Sequence, residues 1–360
     1  MNILIISPER YQDFYTSKIH IANHLKKKHK VFFLNPYVSI KQNRILDEKL
    51  LGIHIINIIS INFFSKFIDV KKHYIKMINN RISKIDMIWC FDTTRANLLE
   101  DLDSKTKLFH LTDNFINKKS IDIINKNSDC ILSVSKKLSK GFNKKKTFIV
   151  GHFIMKSFLN TKFKIKTNKI VAISGNFHMK EFNSKLLNKL VLQNKQITFF
   201  LVGPLLKEHF RYKLKFNKER LNDLKKIIKN KNVKVCGVLN TLNLIKLYKE
   251  INCFCIFYKK IMDNSHKILE FFSTGYPIIS NSKFLSFKDK YFTMMSEKHT
   301  KKNGLSKLIE SKNFKENKYS YQKKSLVKEK TYDRLIETVL VFSRFKKLQL
   351  LKKIEIREVI

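Results

Sequence analysis

"DNSHKILEFFSTGYPIIS", residues 263–280, is the stretch whose reading decides the fold. Asp263, Asn264 and Ser265 offer side-chain acceptors to the unpaired amides of a helix start. Gly275 suits a left-handed helix end, and Pro277 lacks the amide needed to continue. The β-branched pair Ile278 and Ile279 then reads as a buried strand. The order is therefore loop, short helix, turn, strand. Within the helix Ile268, Leu269 and Phe272 make an apolar stripe, while Lys267 and Glu270, three apart, share another face. An anion at the helix start would meet exposed amides with Lys267 beside them, and Glu270 one turn deeper. That arrangement suits a nucleotide diphosphate, whose ribose hydroxyls want a carboxylate acceptor. A surface ion pair on a capped helix accounts for the same letters.

Outward from this stretch, apolar runs of strand length alternate with helical patterns. Towards the amino terminus they are "ILII" (3–6), a helix near 16–28, "VFFL" (31–34), "IHIINII" (53–59), a helix near 66–80, "DMIWCF" (86–91), "KLFHL" (107–111), a run at 129–133 and "TFIV" (147–150). The pattern breaks at "KSFLNTKFKIKTN" (156–168), a linker by composition. It restarts with "KIVAIS" (169–174), a helix near 181–192, "ITFFLVG" (197–203), a helix near 218–229, "VKVCG" (233–237), a helix near 240–250 and "CFCIFY" (253–258), before the stretch quoted above. Alternation of this kind predicts an α/β chain with two doubly wound parallel sheets. Ligands of such sheets bind beyond the carboxyl ends of the strands, so the loops after Ser174, Gly203, Gly237 and Tyr258 should face a cleft. Residues 299–330 are polar and Lys-rich, a poor candidate for core. Residues 331–345 resume a helical pattern with Leu335, Val339 and Phe342 on one stripe.

A length of 360 residues favours two domains over one core, and 43% hydrophobic residues allow both to be packed. The formal charge of +44 raises nucleic acid or an anionic membrane as partners. Lys greatly outnumbers Arg, however, and Arg is the better fork for bases and phosphates, which counts against a specific nucleic-acid partner. The lysines are spread along a chain rich in Ile, Asn and Phe, as an AT-rich coding bias would also give. Cys90, Cys130, Cys236, Cys253 and Cys255 lack C-x-x-C spacing and read as reduced core residues of a cytoplasmic protein. "MNILIISPERYQ" (1–12) has no basic region before its short apolar run, so it reads as a first strand rather than a signal peptide. No apolar run approaches the ~20 residues that span a bilayer.

Four stretches, in order, resemble the GT-B glycosyltransferases of bacterial cell-surface polysaccharide assembly (the family 1/4-like type). They are "ISGNF" (173–177), similar to the glycine loop after the first strand of the nucleotide-sugar domain; "FFLVGP" (199–204); "NVKVCGVLNTLNLIKLYKEINCFCIFY" (232–258); and the opening stretch, which resembles the family's Lys-x-x-Glu helix and Gly-x-Pro turn. In the first half "SKIHIANHLKKKHKVFFLNP" (17–36), "HLTDNF" (110–115) and "SDCILSVSKKLSKGF" (128–142) are more thinly similar, and "TYDRL" (331–335) resembles the start of a terminal helix. The resemblance implies an acceptor-binding domain over 1–155, a linker over 156–168, a nucleotide-sugar domain over 169–330, and a helix over 331–360 that crosses back to the first domain. It further implies that Glu270 holds the donor's ribose, that Lys267 with the amides near Ser265 and His266 meets the diphosphate, and that Gly175, Asn176 and Tyr258 line the site.

Such enzymes typically work without a bound metal or other cofactor, and no His/Asp/Glu cluster here has metal-ligand spacing. His20 and His24, four apart on a helix, read as surface or partner-helix residues. Many retaining members carry two glutamates eight apart; Met262 stands at the first position, which turns attention to Asp113 as the base of an inverting displacement. The rival for Asp113 is a turn or capping residue, and His110, three before it, reads as a packed strand residue. The acceptor is expected to be a glycan or a lipid-linked sugar. "NFFSKFIDVKKHYIKMI" (62–78) is either a basic amphipathic helix lying on an anionic membrane, at its inner face, or a core-facing helix with a solvated basic side. A nucleotide-sugar epimerase of the same architecture, or a non-catalytic basic binding protein, are the alternative functions.

Overall fold

Parallel strand pairing organises both halves of the chain. In this computed structural model the described residues are 1–11, 16–36, 49–50, 52–58, 70–113, 117–165, 168–205, 218–262, 266–285, 287–311, 314 and 320–355. They form two compact units, one of Met1–Gly151 with the described residues 332–355, the other of His152–Thr331.

In the first unit the strands are β1 (Asn2–Ile6), β2 (Lys30–Leu34), β3 (Lys49–Leu50), β4 (Ile53–Ile56), β5 (Met87–Cys90), β6 (Thr106–Leu111), β7 (Cys130–Ser133) and β8 (Thr147–Ile149). Their order is β3-β4-β2-β1-β5-β6-β7-β8, with only the two-residue β3 antiparallel to its neighbour. Helices α1 (Ser17–Leu25), α2 (Val70–Arg81), α3 (Leu98–Asp101) and α4 (Lys118–Asn127) connect them. Leu4 and Ile6 of β1 pack with Tyr74 and Ile78 of α2 and Ile124 of α4, and the alternate residues Ile3 and Ile5 are equally buried. A strand covered on both faces must be apolar throughout, which is why these strands are continuous apolar runs. Of the stretch 62–78, residues 62–69 lie outside those described; Tyr74 and Ile78 face the core while Lys72 and Lys76 are exposed, the core-facing arrangement.

The second unit carries β9 (Ile170–Ser174), β10 (Thr198–Val202), β11 (Val233–Gly237), β12 (Cys253–Ile256), β13 (Ile278–Ser280) and β14 (Thr293–Met294). All pair in parallel, in the order β11-β10-β9-β12-β13-β14. The helices are α5 (Lys156–Leu159), α6 (Ser184–Gln193), α7 (Lys218–Ile228), α8 (Thr241–Tyr248), α9 (His266–Thr274), α10 (Gly304–Glu310) and α11 (Ser320–Val327). Val171 and Ile173 of β9 join a cluster with Leu187 and Leu190 of α6, whereas Ala172 joins one with Leu244 of α8 and Phe271 of α9. Helices therefore cover both faces, and the winding reverses between β9 and β12. In an open α/β sheet that reversal opens a crevice at the carboxyl ends of the two strands.

Two expectations need correction. Residues 156–168 are not a bare linker: α5 and the following loop bury Phe158 and Phe163 in the second unit's core, so that unit begins at His152. Residues 299–330 do contribute core, since Leu305, Ile309, Phe314 and Val327 are buried while Lys302, Lys307 and Lys328 between and beside them are exposed. The terminal helix α12 (Tyr332–Phe345) belongs to the first unit and lies against α1, where His24 Nδ1 meets Asp333 Oδ1 at 2.7 Å and the His20 ring faces Tyr332. Those two histidines thus pack on a neighbouring helix. All five cysteines are free thiols; Cys236 is only half-buried, and the other four are in the core.

Candidate active site

Three glycine turns end the first three strands of the second unit, and they are bonded in series. Gly175 N–H donates to Val202 O at 2.9 Å, and Gly203 N–H donates to Gly237 O at 2.7 Å. Gly203 has φ +132°, and a Cβ placed on it would lie 2.0 Å from Gly175 O. Only glycine permits that approach, so Gly203 sets the position of the Gly175 loop from behind. Asn176 Oδ1 accepts from His178 N–H at 2.9 Å, which folds the loop after Gly175 into a tight turn.

This loop forms one wall of a shallow, open pocket at the winding reversal, with Ser174, Gly175, Asn176 and Phe177 on one side. Ile256, Phe257 and Tyr258 close the end of β12, and Lys267, Ile268 and Phe271 come from α9. The sequence dictates α9 through its ends. Its last turn is closed by Gly275 at φ +75°, whose N–H donates to Phe272 O at 3.0 Å. Pro277 O then accepts from Phe254 N–H at 3.1 Å, which enters Ile278 and Ile279 into the sheet beside β12. The capping residues expected at 263–265, Ser265 among them, lie outside the described residues.

Lys267 Nζ donates to Glu270 Oε2 at 2.8 Å. Glu270 is not part of the pocket lining, and burial pushes its carboxyl above the usual range against the opposing pull of Lys267. Beneath it the Tyr248 phenol is fully buried, and burial, with the Glu270 charge adding to it, holds that phenol well above its ordinary value. Tyr258 is anchored by Asn281, which accepts from its N–H at 2.9 Å and donates to its carbonyl at 2.8 Å. His266 is exposed at the start of α9, its ring 5.9 Å from that of His152. Gly175, Asn176, Tyr258 and Lys267 thus share one pocket, whereas Glu270 and His266 stand outside its lining.

In the first unit Asp113 is exposed, just beyond β6. Thr112 Oγ1 donates to its Oδ2 at 2.9 Å, and Lys18 Nζ lies 3.6 Å away. Lys18 is buried at the start of α1 and also meets Glu9 Oε1 at 3.2 Å. Neither Lys18 nor Glu9 stood out in the sequence, though Glu9 follows the first strand directly, where loop residues carry chemistry in wound sheets. At the winding reversal of this sheet, between β1 and β5, a guanidinium fills the space. Arg95 bonds Asp92 Oδ2 at 2.7 Å, Asn35 O at 2.7 Å and Ser7 O at 2.5 Å, all in the interior. His110 is buried against the rings of Trp89 and Phe91, a packed strand residue. Among the described residues no group of His, Cys, Asp or Glu has the geometry of a metal site.

No family model matches the chain, and no curated protein matches it in sequence. Solved structures do match in shape over nearly the whole chain. HepE of Anabaena, in complex with UDP and glucose, is 11% identical with a TM-score of 0.65, covering 96% of this chain and 100% of its own. Sucrose-phosphate synthase of Thermosynechococcus elongatus is 11% identical with a TM-score of 0.67, over 96% and 98%. A glycosyltransferase of Rickettsia africae is 13% identical with a TM-score of 0.64, over 98% of each chain. The chain has the GT-B fold. Within that fold the second unit supplies the glycine turns and α9.

Proposed function

We propose that this GT-B chain is a glycosyltransferase that takes a sugar from a nucleotide-diphosphate donor and passes it to a glycan or lipid-linked acceptor of a surface polysaccharide. The observation that carries the reading is the Lys267–Glu270 pair at the pocket on the winding reversal, opposite the Gly175 loop. A diphosphate in that pocket would meet the Lys267 ammonium and the amides at the start of α9, and a glycine at 175 lets it approach the backbone. Glu270, one turn further, would accept from the ribose hydroxyls. HepE has been solved with UDP and with UDP-glucose, which supports a uridine nucleotide as the first donor to try.

Transfer requires that the bond from the anomeric carbon to the diphosphate break as the acceptor oxygen attacks that carbon and loses its proton. Lys267 and the helix start would stabilise the departing diphosphate. Asp113 would take the acceptor's proton in an inverting displacement, steadied by Lys18 and Thr112. Met262 at the place of a first glutamate agrees with inversion. Titrating the protein with UDP, GDP and their sugars while following the thermal midpoint tests the reading. One nucleotide should raise the midpoint in the wild type and not in Glu270→Ala. A midpoint that no nucleoside diphosphate moves overturns it.

A further inference from the structure

Ile261 and Leu285 stand on the surface of the second unit with 55% and 70% of their area exposed. Their loops are tied together: Met262 N–H donates to Lys283 O at 3.2 Å, Leu285 N–H donates to Met262 O at 2.9 Å, and Met262 bridges Phe284. Phe284 beneath them is buried and stacks on Phe292 at 5.0 Å, so the two exposed side chains project from a packed base. Lys259, Lys260, Lys283 and Lys288 lie within three residues of one or the other along the chain, all exposed. Lys260 reaches Glu181 at 3.1 Å and Lys283 reaches Asp289 at 2.7 Å, yet among the described residues of the two loops lysines outnumber carboxylates.

We propose that this apolar tip and its flanking lysines dock the chain on an anionic lipid bilayer, with Ile261 and Leu285 entering the headgroup region. Single exposed aliphatic residues are ordinary on any surface. Two joined by backbone hydrogen bonds and flanked by lysine have the composition of an interfacial membrane contact, in which apolar insertion and attraction to anionic lipid add together. The formal charge of +44 draws the whole chain to the same surface. The tip follows Tyr258 of the pocket by three residues, so docking would hold the pocket at the bilayer, where a lipid-linked acceptor presents its hydroxyl. That last consequence rests on the proposed function; the docking itself does not.

The test is co-sedimentation of the full chain with vesicles of phosphatidylcholine alone and of phosphatidylcholine mixed with phosphatidylglycerol. The wild type should sediment with the anionic mixture only. Ile261→Ser/Leu285→Ser should lower the partition by about 10-fold or more, and Lys259→Gln/Lys288→Gln should weaken the preference for anionic lipid. Lys72→Gln/Lys76→Gln on α2 should leave both unchanged. Equal sedimentation with both vesicles, full binding by the tip double variant, or loss of binding in the α2 variant overturns the proposal. So does self-association of the wild type that the tip double variant abolishes, because a second copy would then cover the patch. A UDP-induced thermal shift retained in the tip double variant shows that its fold is intact. Vesicle binding by a wild type that no nucleotide stabilises supports docking and overturns the donor reading alone.

Discussion

Lys267 Nζ stands 2.8 Å from Glu270 Oε2, and Glu270 is the more enclosed partner, its side chain 12% exposed against 24% for the lysine. A carboxylate so placed is short of water, and its lysine is the nearest compensation. A ribose hydroxyl arriving from the pocket would supply a further hydrogen bond to it. Glu270→Gln keeps the shape but removes the charge, and should raise the dissociation constant for UDP by about 10-fold or more, since bonds to charged groups are worth ~1.5–3 kcal/mol. Calorimetric titration reads this directly. Lys267→Met removes the group that pulls the Glu270 carboxyl down, so binding in that variant should weaken at a higher pH than in the wild type as the carboxyl protonates.

Gly203 acts on the pocket without lining it. A Cβ there would strike Gly175 O, a backbone atom, so Gly203→Ala must push the Gly175 loop away or distort β10. Nucleoside-diphosphate affinity should fall together with a loss of about 1–3 kcal/mol of stability, the usual cost of strain at such a backbone position. Urea unfolding alongside the calorimetric titration would check both. Retained affinity at full stability would mean that the loop's position is set elsewhere.

The legible part of this fold was the part written in apolar runs and glycines. Strands buried on both faces leave a continuous signal, which is why β9, β12 and the turn at Gly275 could be placed from letters alone. The core role of residues 299–330 was hidden because Leu305, Ile309 and Val327 are spaced among lysines, most of the described ones at least partly exposed and Lys323 itself buried, and such helices carry a weak average hydropathy. Phe158 and Phe163 looked like linker residues because the surrounding chain is polar and only tertiary packing buries them. The Lys18–Glu9 contact beside Asp113 joins the start of α1 to the loop after β1, and neither residue belongs to a spaced motif. Pairings of that kind are set by topology rather than by periodicity.

Asp113 supplies the next test, because its ion pair separates a base from a turn residue. Asp113→Asn should lower the rate of transfer by ~10²–10⁴-fold, the usual contribution of a general base. UDP binding, proposed for the second unit, should be unchanged. A normal rate in Asp113→Asn would leave that residue as a surface partner of Lys18.

Lys323 places a pH dependence on the second unit. It is 2% exposed on α11 and donates to Tyr276 O at 2.8 Å, in the turn that follows α9. Burial lowers its ammonium to about 8, and the half-buried Lys330 is lowered to about 8 by the same cause. Below that value both folded and unfolded chains hold the proton, and the cost of burying the charge is present in full. Between there and the ordinary lysine range the unfolded chain still binds the proton that the folded chain has released, so stability rises with pH. By pH ~9.5 the gain from Lys323 should be about 2 kcal/mol, at ~1.4 kcal/mol for each pH unit. Urea midpoints measured from neutral pH to that limit should rise in the wild type and rise less in Lys323→Met. Parallel curves for the two proteins would mean that the ammonium keeps its ordinary pKa and that the turn after α9 is held by its glycine and proline alone.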